Sequence, residues 1–493
     1  MSIEEPPVDV LRTPEAGARV IRGGVLRGGG YAVGLVLAAA TSVFLLRGLG
    51  VEDFGRYATV AAIVGIVSTL TDAGLTAVGS RELALLPRGA DREAVLRVLV
   101  ALRLLLSVAA ILLAALFAVL AGYERVIVEG VLLAGLGVLL VNVQATALLP
   151  LSVELRLGVV TGFEVLKQAL TLVGVAALAV AGASLLPYFA VQALLGATVL
   201  VLTPPMLGGL RPLLPRLDRG AALSLLREAL PLAIAIAMNV LYLRLLVILV
   251  SLLQGETETG LYGAAFRVFE MPLVLPGIVL GVALPLLSVA GAEDLSRLRY
   301  ALQRLAEVSL LAGLGLALAA TALAAPALEL LYGAEYAGAA PMLHVQAWAL
   351  VPLFLGQVAL LALVALRRQR AVALANAGAV ALVLALGLIL VPRWGGEGAA
   401  SAGVATEAAL CAFLLTALAV SERTILPRFA FAWRPVAATV GGAVPLLVLG
   451  ADRWLSASLA LAAFAGVAVA VRALPGEVYP ALARRRPPPG GAT

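Results

Sequence analysis

Long apolar segments follow one another through almost the whole chain, and only short polar stretches separate them. The sequence is 62% hydrophobic and 13% charged, and a soluble domain has too little interior to bury so much apolar surface. A helix needs about 20 apolar residues to cross the hydrocarbon core of a bilayer, and these segments lack the alternation of outer-membrane strands. The sequence therefore predicts an all-α polytopic membrane protein. Its fourteen predicted spans are 24–46, 56–78, 98–121, 127–149, 158–182, 185–207, 229–252, 259–289, 305–326, 341–366, 371–391, 399–420, 435–450 and 455–473.

One pattern, G-x-x-[D/E]-x-G-x-Y, occurs twice, each time between two consecutive predicted spans. The two copies contain, in order, Gly50, Asp53, Gly55 and Tyr57, and Gly255, Glu258, Gly260 and Tyr262. Their equivalent positions predict a tight turn in each copy and a duplicated six-helix module. Transporters are what such duplications usually build.

The repeat also predicts how the chain is divided. Two six-helix lobes share one orientation, because six is an even number of crossings, and are related by an axis along the membrane normal. Two extra helices follow them. In chain order the predicted parts are a tail (1–22), the N-lobe (23–207), a cytoplasmic linker (208–228), the C-lobe (229–420), helices 13 and 14 (421–474) and a basic, proline-rich tail (475–493).

Basic residues are distributed unevenly between the predicted loops. Most of the 35 basic residues lie on one set of turns and tails, which the positive-inside rule assigns to the cytoplasm. Both termini are then cytoplasmic, and no apolar segment before residue 24 resembles a removable signal peptide. This basicity indicates contact with anionic membrane lipids rather than with nucleic acid. The basic residues assigned to the outside are Arg47, Arg56, Arg125, Arg393 and Arg453.

Four ionisable residues lie deep inside predicted spans, where a charge costs a few kcal/mol. Arg244 and Arg267 each lie roughly 12 Å from the outer end of their helix. Glu270 is one turn deeper than Arg267, and Glu407 reaches a similar depth. A guanidinium suits a phosphate group, so we expect both arginines to line a cationic cavity for an anionic head group. The alternative is that Arg267 and Glu270 neutralise each other.

The candidate site also includes a third arginine and three carboxylates. Arg27, among glycines at the start of helix 1, is a third candidate for phosphate binding or a snorkelling anchor. Glu407, Glu270 and Asp72 are candidates for proton or sodium coupling. The alternatives are a packing role for Glu407 and, for Asp72, a helix cap or a pair with Arg81.

Signatures of enzymes are missing from the sequence. No G-x-x-x-x-G-K-[S/T] phosphate loop is present, and one histidine with one cysteine cannot form an ordinary zinc site. The sequence therefore predicts a protein that is not an enzyme and has no metal or organic cofactor.

Four local patterns match one known family in order and spacing. They are 47–57 (RGLGVEDFGRY), 72–75 (DAGL) followed by Arg81-Glu82, 260–267 (GLYGAAFR) and 331–336 (LYGAEY). Together they resemble the polysaccharide-transport (O-antigen flippase-like) family of the multidrug/oligosaccharidyl-lipid/polysaccharide exporter superfamily, and the resemblance covers most of 24–420.

This resemblance implies a fourteen-helix transporter in a prokaryotic cytoplasmic membrane, whose lobes form a V-shaped central cavity. Such proteins move polyprenyl-pyrophosphate-linked oligosaccharides to the outer leaflet by alternating access, and polysaccharide polymerases and glycosyltransferases are their expected partners. The family often has an aspartate just after the helix 7 arginine, whereas Arg244 is followed by Leu245 and Leu246. This departure argues against ion coupling by helix 7.

Three other functions compete with this interpretation. A flippase for a lipid-linked peptidoglycan precursor would share the polyprenyl pyrophosphate of the substrate. A multidrug or cation antiporter of the same superfamily would require acidic residues in its cavity. A membrane glycosyltransferase or polymerase is the third, and the short external loops argue against it.

Overall fold

The computed structural model describes residues 16–72, 74–87, 89–207, 209, 214–273, 275, 295–450 and 454–473. Within these ranges every regular element is a helix, which confirms the all-α prediction. The helices are α1 (Ala16–Asp72), α2 (Leu75–Leu85), α3 (Ala90–Leu120), α4 (Arg125–Ala147), α5 (Leu149–Val153), α6 (Leu157–Val180), α7 (Leu185–Val201), α8 (Pro204–Leu207), α9 (Arg219–Leu253), α10 (Glu256–Glu270), α11 (Leu295–Ala322), α12 (Ala324–Tyr332), α13 (Ala340–Gln346), α14 (Leu350–Ala365), α15 (Gln369–Ser421), α16 (Trp433–Leu449) and α17 (Trp454–Ala470).

The helices have the length and composition of a multi-pass membrane protein. Ten segments in the described part of the chain are long and apolar enough to cross a membrane, and Trp454–Ala470 is a shorter apolar helix. Helices α1 and α15 contain 57 and 53 residues, so at about 1.5 Å per residue each is long enough for two crossings. Every predicted span overlaps a described helix, but residues 274 and 276–289 of the span 259–289 lie outside the described residues.

Both copies of the repeated pattern form the predicted turn. Gly50 interrupts α1 with φ 70° and ψ 175°, and Gly255 precedes α10 with φ 90° and ψ −176°. This combination of a positive φ and an extended ψ is open almost only to glycine. The two turns therefore have nearly the same backbone, and the duplication of a six-helix module stays a prediction.

Several helices start or stop away from the predicted ends of the spans. Helix α1 ends at Asp72 rather than continuing to residue 78, and the chain resumes helical structure at Leu75. Helices α9 and α11 begin ten residues before the predicted spans, so half of the predicted linker 208–228 is helical. The span prediction measures the apolar part of a helix, and α9 and α11 begin with amphipathic turns before it. Helix α1 stops early because the chain breaks at Gly74, which has a left-handed φ of 70°.

The chain divides into two compact units between Arg244 and Leu245, inside α9. The first unit contains α1 to α8, and α10 to α17 belong to the second. Each unit has its own apolar core, as membrane helices pack their inward faces together. The core of the first includes Leu83, Leu99 and Leu149, and that of the second includes Leu302 and Leu414.

Candidate functional site

The two predicted partners on α10 lie together in the second unit. The Nη1 atom of Arg267 lies 3.8 Å from Oε2 of Glu270, and their side chains are 32% and 25% exposed. This distance exceeds that of a hydrogen bond, so these two atoms interact only electrostatically. Arg267 also acts on Tyr332, in the connection between two apolar segments: burial raises the pKa of this phenol to about 12, and the charge of Arg267 opposes the rise.

Arg244 lies within α9 at the end of the first unit. Its side chain is partly exposed, and its Nε atom lies 3.7 Å from the position that a Cβ on Gly65 would occupy. A glycine at this point of α1 leaves room for the guanidinium beside the helix. Arg244 is the last residue of the first unit, whereas Arg267 lies in the second. The common cationic cavity therefore stays a prediction.

Glu407 is the most deeply buried of the four predicted residues. It is 6% exposed and lies in the second half of α15, beyond the bend at Trp394 and Gly395. A carboxyl group so deeply buried in a membrane helix is costly unless it is neutral or has partners. Its burial fits either a packing role or ion coupling.

Arg27 lines a cavity of about 480 Å³ between α1 and α6. The wall of this cavity also includes Thr161, Glu164 and Gln168. Glu164 forms an ion pair of 2.7 Å with Lys167, so its negative charge is largely balanced within its own helix. The cavity therefore presents an arginine, a hydroxyl and an amide to a polar ligand.

Asp72 forms an ion pair with Arg103 of α3, not with Arg81. The Nη1 atom of Arg103 donates to Oδ1 of Asp72 at 2.8 Å, and Thr76 also donates to this carboxylate. Arg81 pairs instead with Glu82 and Glu228. The predicted pairing of Asp72 with Arg81 is wrong, because the break after α1 turns Asp72 toward α3.

Arg103 is not among the residues predicted from the sequence, and its side chain is only 2% exposed. Its Nε donates to Oγ1 of Thr146 at 3.0 Å, its Nη1 to the Thr71 carbonyl at 3.1 Å and its Nη2 to Oγ1 of Thr76 at 2.9 Å. One guanidinium thus joins α3 to α1, α2 and α4. The signal that identified Arg244, an arginine between leucines inside an apolar segment, is present around Arg103 as well.

A cluster suitable for a metal is not found in the described ranges. No group of three or more histidine, cysteine, aspartate or glutamate side chains there could hold a metal ion.

Comparisons with solved structures identify the fold. Lipid II flippase MurJ, in an inward closed conformation, aligns over 93% of this chain and 100% of its own, with a TM-score of 0.73 and 12% identity. An inward-facing multidrug resistance MATE family transporter of the MOP superfamily aligns over 80% and 95%, with a TM-score of 0.67 and 14% identity. A MOP superfamily transporter from Pyrococcus furiosus, whose binding pocket is described as having reverse polarity, aligns over 84% and 97%, with a TM-score of 0.54 and 14% identity.

The sequence itself matches one protein family. No curated protein matches the chain. Residues 44–341 match the family model described as "Polysaccharide biosynthesis protein", and this range is more than half of the 493 residues. Together with the shared MOP-superfamily fold, the match confirms the resemblance noted in the sequence. The chain belongs to the family of polysaccharide biosynthesis proteins.

Proposed function

We propose that the protein is a flippase that moves a polyprenyl-pyrophosphate-linked oligosaccharide from the inner to the outer leaflet by alternating access, with both termini in the cytoplasm. The observation that carries the proposal is the match of 44–341 to polysaccharide biosynthesis proteins in a chain with the fold of a lipid II flippase. Export of a lipid-linked sugar explains both the match to polysaccharide biosynthesis proteins and the transporter fold.

Three arginines offer the chemistry that a pyrophosphate requires. A guanidinium keeps its charge and presents bidentate donors to phosphate oxygens. Arg27 lines the cavity between α1 and α6, Arg244 is partly exposed within α9, and Arg267 is 32% exposed in α10. Because these side chains keep some exposure, an incoming anion can reach them without breaking a buried network.

Transport against a gradient also requires an energy source, and the sequence has no phosphate loop for ATP. We assign the coupling to a proton or sodium gradient and to Glu407 in the first place. Glu407 is the most deeply buried of the three candidate carboxylates, at 6% exposed, and lies in the second half of α15. Buried carboxylates are the usual ion carriers of membrane transporters.

The test of substrate binding is a reconstituted flipping assay. Vesicles containing purified protein would receive a fluorescent polyprenyl-pyrophosphate-linked oligosaccharide, and its appearance in the opposite leaflet would be measured. We expect Arg244→Ala and Arg267→Ala each to slow flipping about tenfold or more, since a charge-assisted bond to phosphate contributes about 1.5–3 kcal/mol. Lysine at either position should restore only part of the rate, because an ammonium lacks the bidentate donors.

Arg125→Ala is the matched control, since Arg125 is an exposed arginine that pairs with Glu129 of its own helix. It should flip at the wild-type rate. Wild-type rates for Arg244→Ala and Arg267→Ala, in protein that remains folded, would contradict a role for these arginines in substrate binding.

The coupling assignment has a separate test. Glu407→Gln should flip substrate without a gradient at a near-normal rate but lose the acceleration by an imposed pH or sodium gradient. The same measurement on Asp72→Asn and Glu270→Gln distinguishes the three carboxylates. If Glu407→Gln keeps the full gradient dependence, Glu407 is a packing residue.

A lipid-linked peptidoglycan precursor is the second candidate substrate, favoured by the TM-score of 0.73 to the lipid II flippase. Both substrates contain a polyprenyl pyrophosphate, so the same arginines would bind either. Competition in the flipping assay between the two lipid-linked sugars decides between them. A preference for a cationic drug over both would instead indicate an antiporter.

A further inference from the structure

A larger cavity, of about 780 Å³, lies in the second unit, and none of the candidate transport residues lines it. Helix α11 begins beside it, and the connection from α15 to α16 forms its other wall. Three arginines line it, and no carboxylate is among its described lining residues. The three are Arg299, Arg428 and Arg434.

Gln303 fixes the two walls of this cavity to each other. Its Oε1 accepts the backbone N–H of Arg428 at 2.8 Å, and its Nε2 donates to the carbonyl oxygen of Arg428 at 3.2 Å. This reciprocal pair holds the connection against α11 at the residue that carries one of the cavity arginines. The cavity is therefore organised before a ligand arrives, which lowers the entropic cost of binding.

The cavity lies at the level where several apolar helices end. Arg434 donates from Nη1 to the carbonyl oxygen of Arg472 at 3.2 Å, so the start of α16 and the chain just after α17 are at the same height as the start of α11. Tyr300 and Trp433 line the cavity and are exposed. Tyrosine and tryptophan concentrate where the hydrocarbon meets the head groups of a membrane.

Among the described residues, no carboxylate lines the cavity to balance the charge of these arginines. The guanidinium of Arg434 lies 5.7 Å from the ring centre of Trp433, and the carboxylate of Glu307, next to Gln303, is paired with Arg304 at 2.7 Å. Each guanidinium has five donor hydrogens, which is more than these contacts require. A ligand with negatively charged oxygens would complete them.

We infer that this cavity binds the phosphate of an anionic phospholipid head group. Three guanidinium groups suit phosphate oxygens, the helix ends place them at head-group depth, and the volume is that of a pocket for a small ligand. The site is separate from the residues proposed for transport, and the inference does not depend on the proposed function. On the predicted topology, the lipid belongs to the cytoplasmic leaflet.

Trp433 provides a probe of this binding in the native chain. Purified protein in phosphatidylcholine nanodiscs would receive increasing fractions of brominated phosphatidylglycerol or of brominated phosphatidylcholine, and quenching of tryptophan fluorescence would be measured. The difference between wild-type protein and Trp433→Phe isolates the signal of Trp433 from those of the other tryptophans. We expect phosphatidylglycerol to quench Trp433 at a lower fraction than phosphatidylcholine does.

The variant that tests the arginines is Arg299→Ala with Arg428→Ala. Each basic residue at a membrane surface contributes about 1 kcal/mol, or about fivefold in affinity, so the double variant should lose most of the preference for phosphatidylglycerol. Arg423→Ala is the matched control, since Arg423 is exposed on the same connection and does not line the cavity. It should keep the preference.

Three results would overturn the inference. One is equal quenching of Trp433 by the two lipids in wild-type protein, and another is an unchanged preference in the folded double variant. The third is competition by inorganic phosphate as strong as that by phosphatidylglycerol, which would indicate a site for a free anion. If the double variant does not fold, Arg299→Gln and Arg428→Gln singly should each lower the preference about fivefold.

Discussion

Each compact unit contains a charged pair in a predicted membrane span, and the two pairs differ in their burial and hydrogen bonding. In the first unit the side chain of Arg103 is 2% exposed and donates hydrogen bonds to Asp72, two threonine hydroxyls and a backbone carbonyl. In the second unit the side chain of Arg267 is 32% exposed and lies 3.8 Å from Glu270. Both pairs are formally neutral, yet the guanidinium is buried and hydrogen-bonded in the first and partly exposed in the second.

The difference shows which features distinguish a structural charge from a binding charge. A buried guanidinium with its donors occupied gains little from a new anion, because the anion would have to displace existing partners. A half-exposed guanidinium with a distant counter-ion has donors to offer and is already partly hydrated. We therefore assign Arg103 to the stability of the first unit and Arg267 to the substrate.

The largest expected effect is that of Arg103→Ala. This substitution leaves the acceptors on α1, α2 and α4 without their common donor, and breaking a buried ion pair costs about 3–5 kcal/mol. Since the Asp72 side chain is 36% exposed and water can reach it, we expect a loss of about 3 kcal/mol. Denaturant unfolding in mixed micelles would measure it.

Arg125→Ala is again the control for this measurement, because its partner Glu129 is on the same helix and Arg125 is 91% exposed. An exposed pair contributes less than about 1 kcal/mol. Equal losses for Arg103→Ala and Arg125→Ala would mean that the buried network does not stabilise the unit.

Removing the acid from each pair gives an effect of intermediate size. Asp72→Asn leaves the buried charge of Arg103 with only neutral partners, so we expect a loss of about 2 kcal/mol. Glu270→Gln removes a longer and more exposed pair, so its loss should stay below about 1 kcal/mol. Unfolding of both variants under the same conditions is the measurement, and the reverse order would remove the distinction between the two pairs.

Much of the fold could be predicted because membrane spans and glycine turns are local features. The apolar segments fixed the helices, and the repeated pattern located the turns at Gly50 and Gly255. The starts of α9 and α11 could not be predicted this way, because a helix continues past its apolar part where polar turns pack against the protein. These extensions lack the continuous run of apolar residues from which a membrane span is predicted.

The candidate site was less predictable, since depth in a span does not identify a partner. Arg267 and Glu270 are neighbours on one helix, so their pairing followed from their spacing. The partners of Arg103 come from three other helices, and only tertiary structure brings Thr146 within reach of it. For the same reason Asp72 could not be assigned to α3 from the sequence.

The smallest expected effect is the loss of stability when the acidic residue of either repeated turn is replaced. Glu258 accepts the backbone N–H of the buried Gly396 at 2.8 Å, whereas Asp53 binds Arg56, which also contacts Glu52 and Glu124.

Glu258→Ala leaves a buried N–H without its acceptor and should destabilise the protein by about 1 kcal/mol. Asp53→Ala leaves Arg56 with two other carboxylates and should change stability by less than about 0.5 kcal/mol. Glu258→Gln should recover part of the loss, because its amide oxygen can accept the same hydrogen bond. Thermal unfolding of the three variants measures the order. If Asp53→Ala is as damaging as Glu258→Ala, both acids act within the turn itself, and the link from Glu258 to the bend of α15 adds nothing to stability.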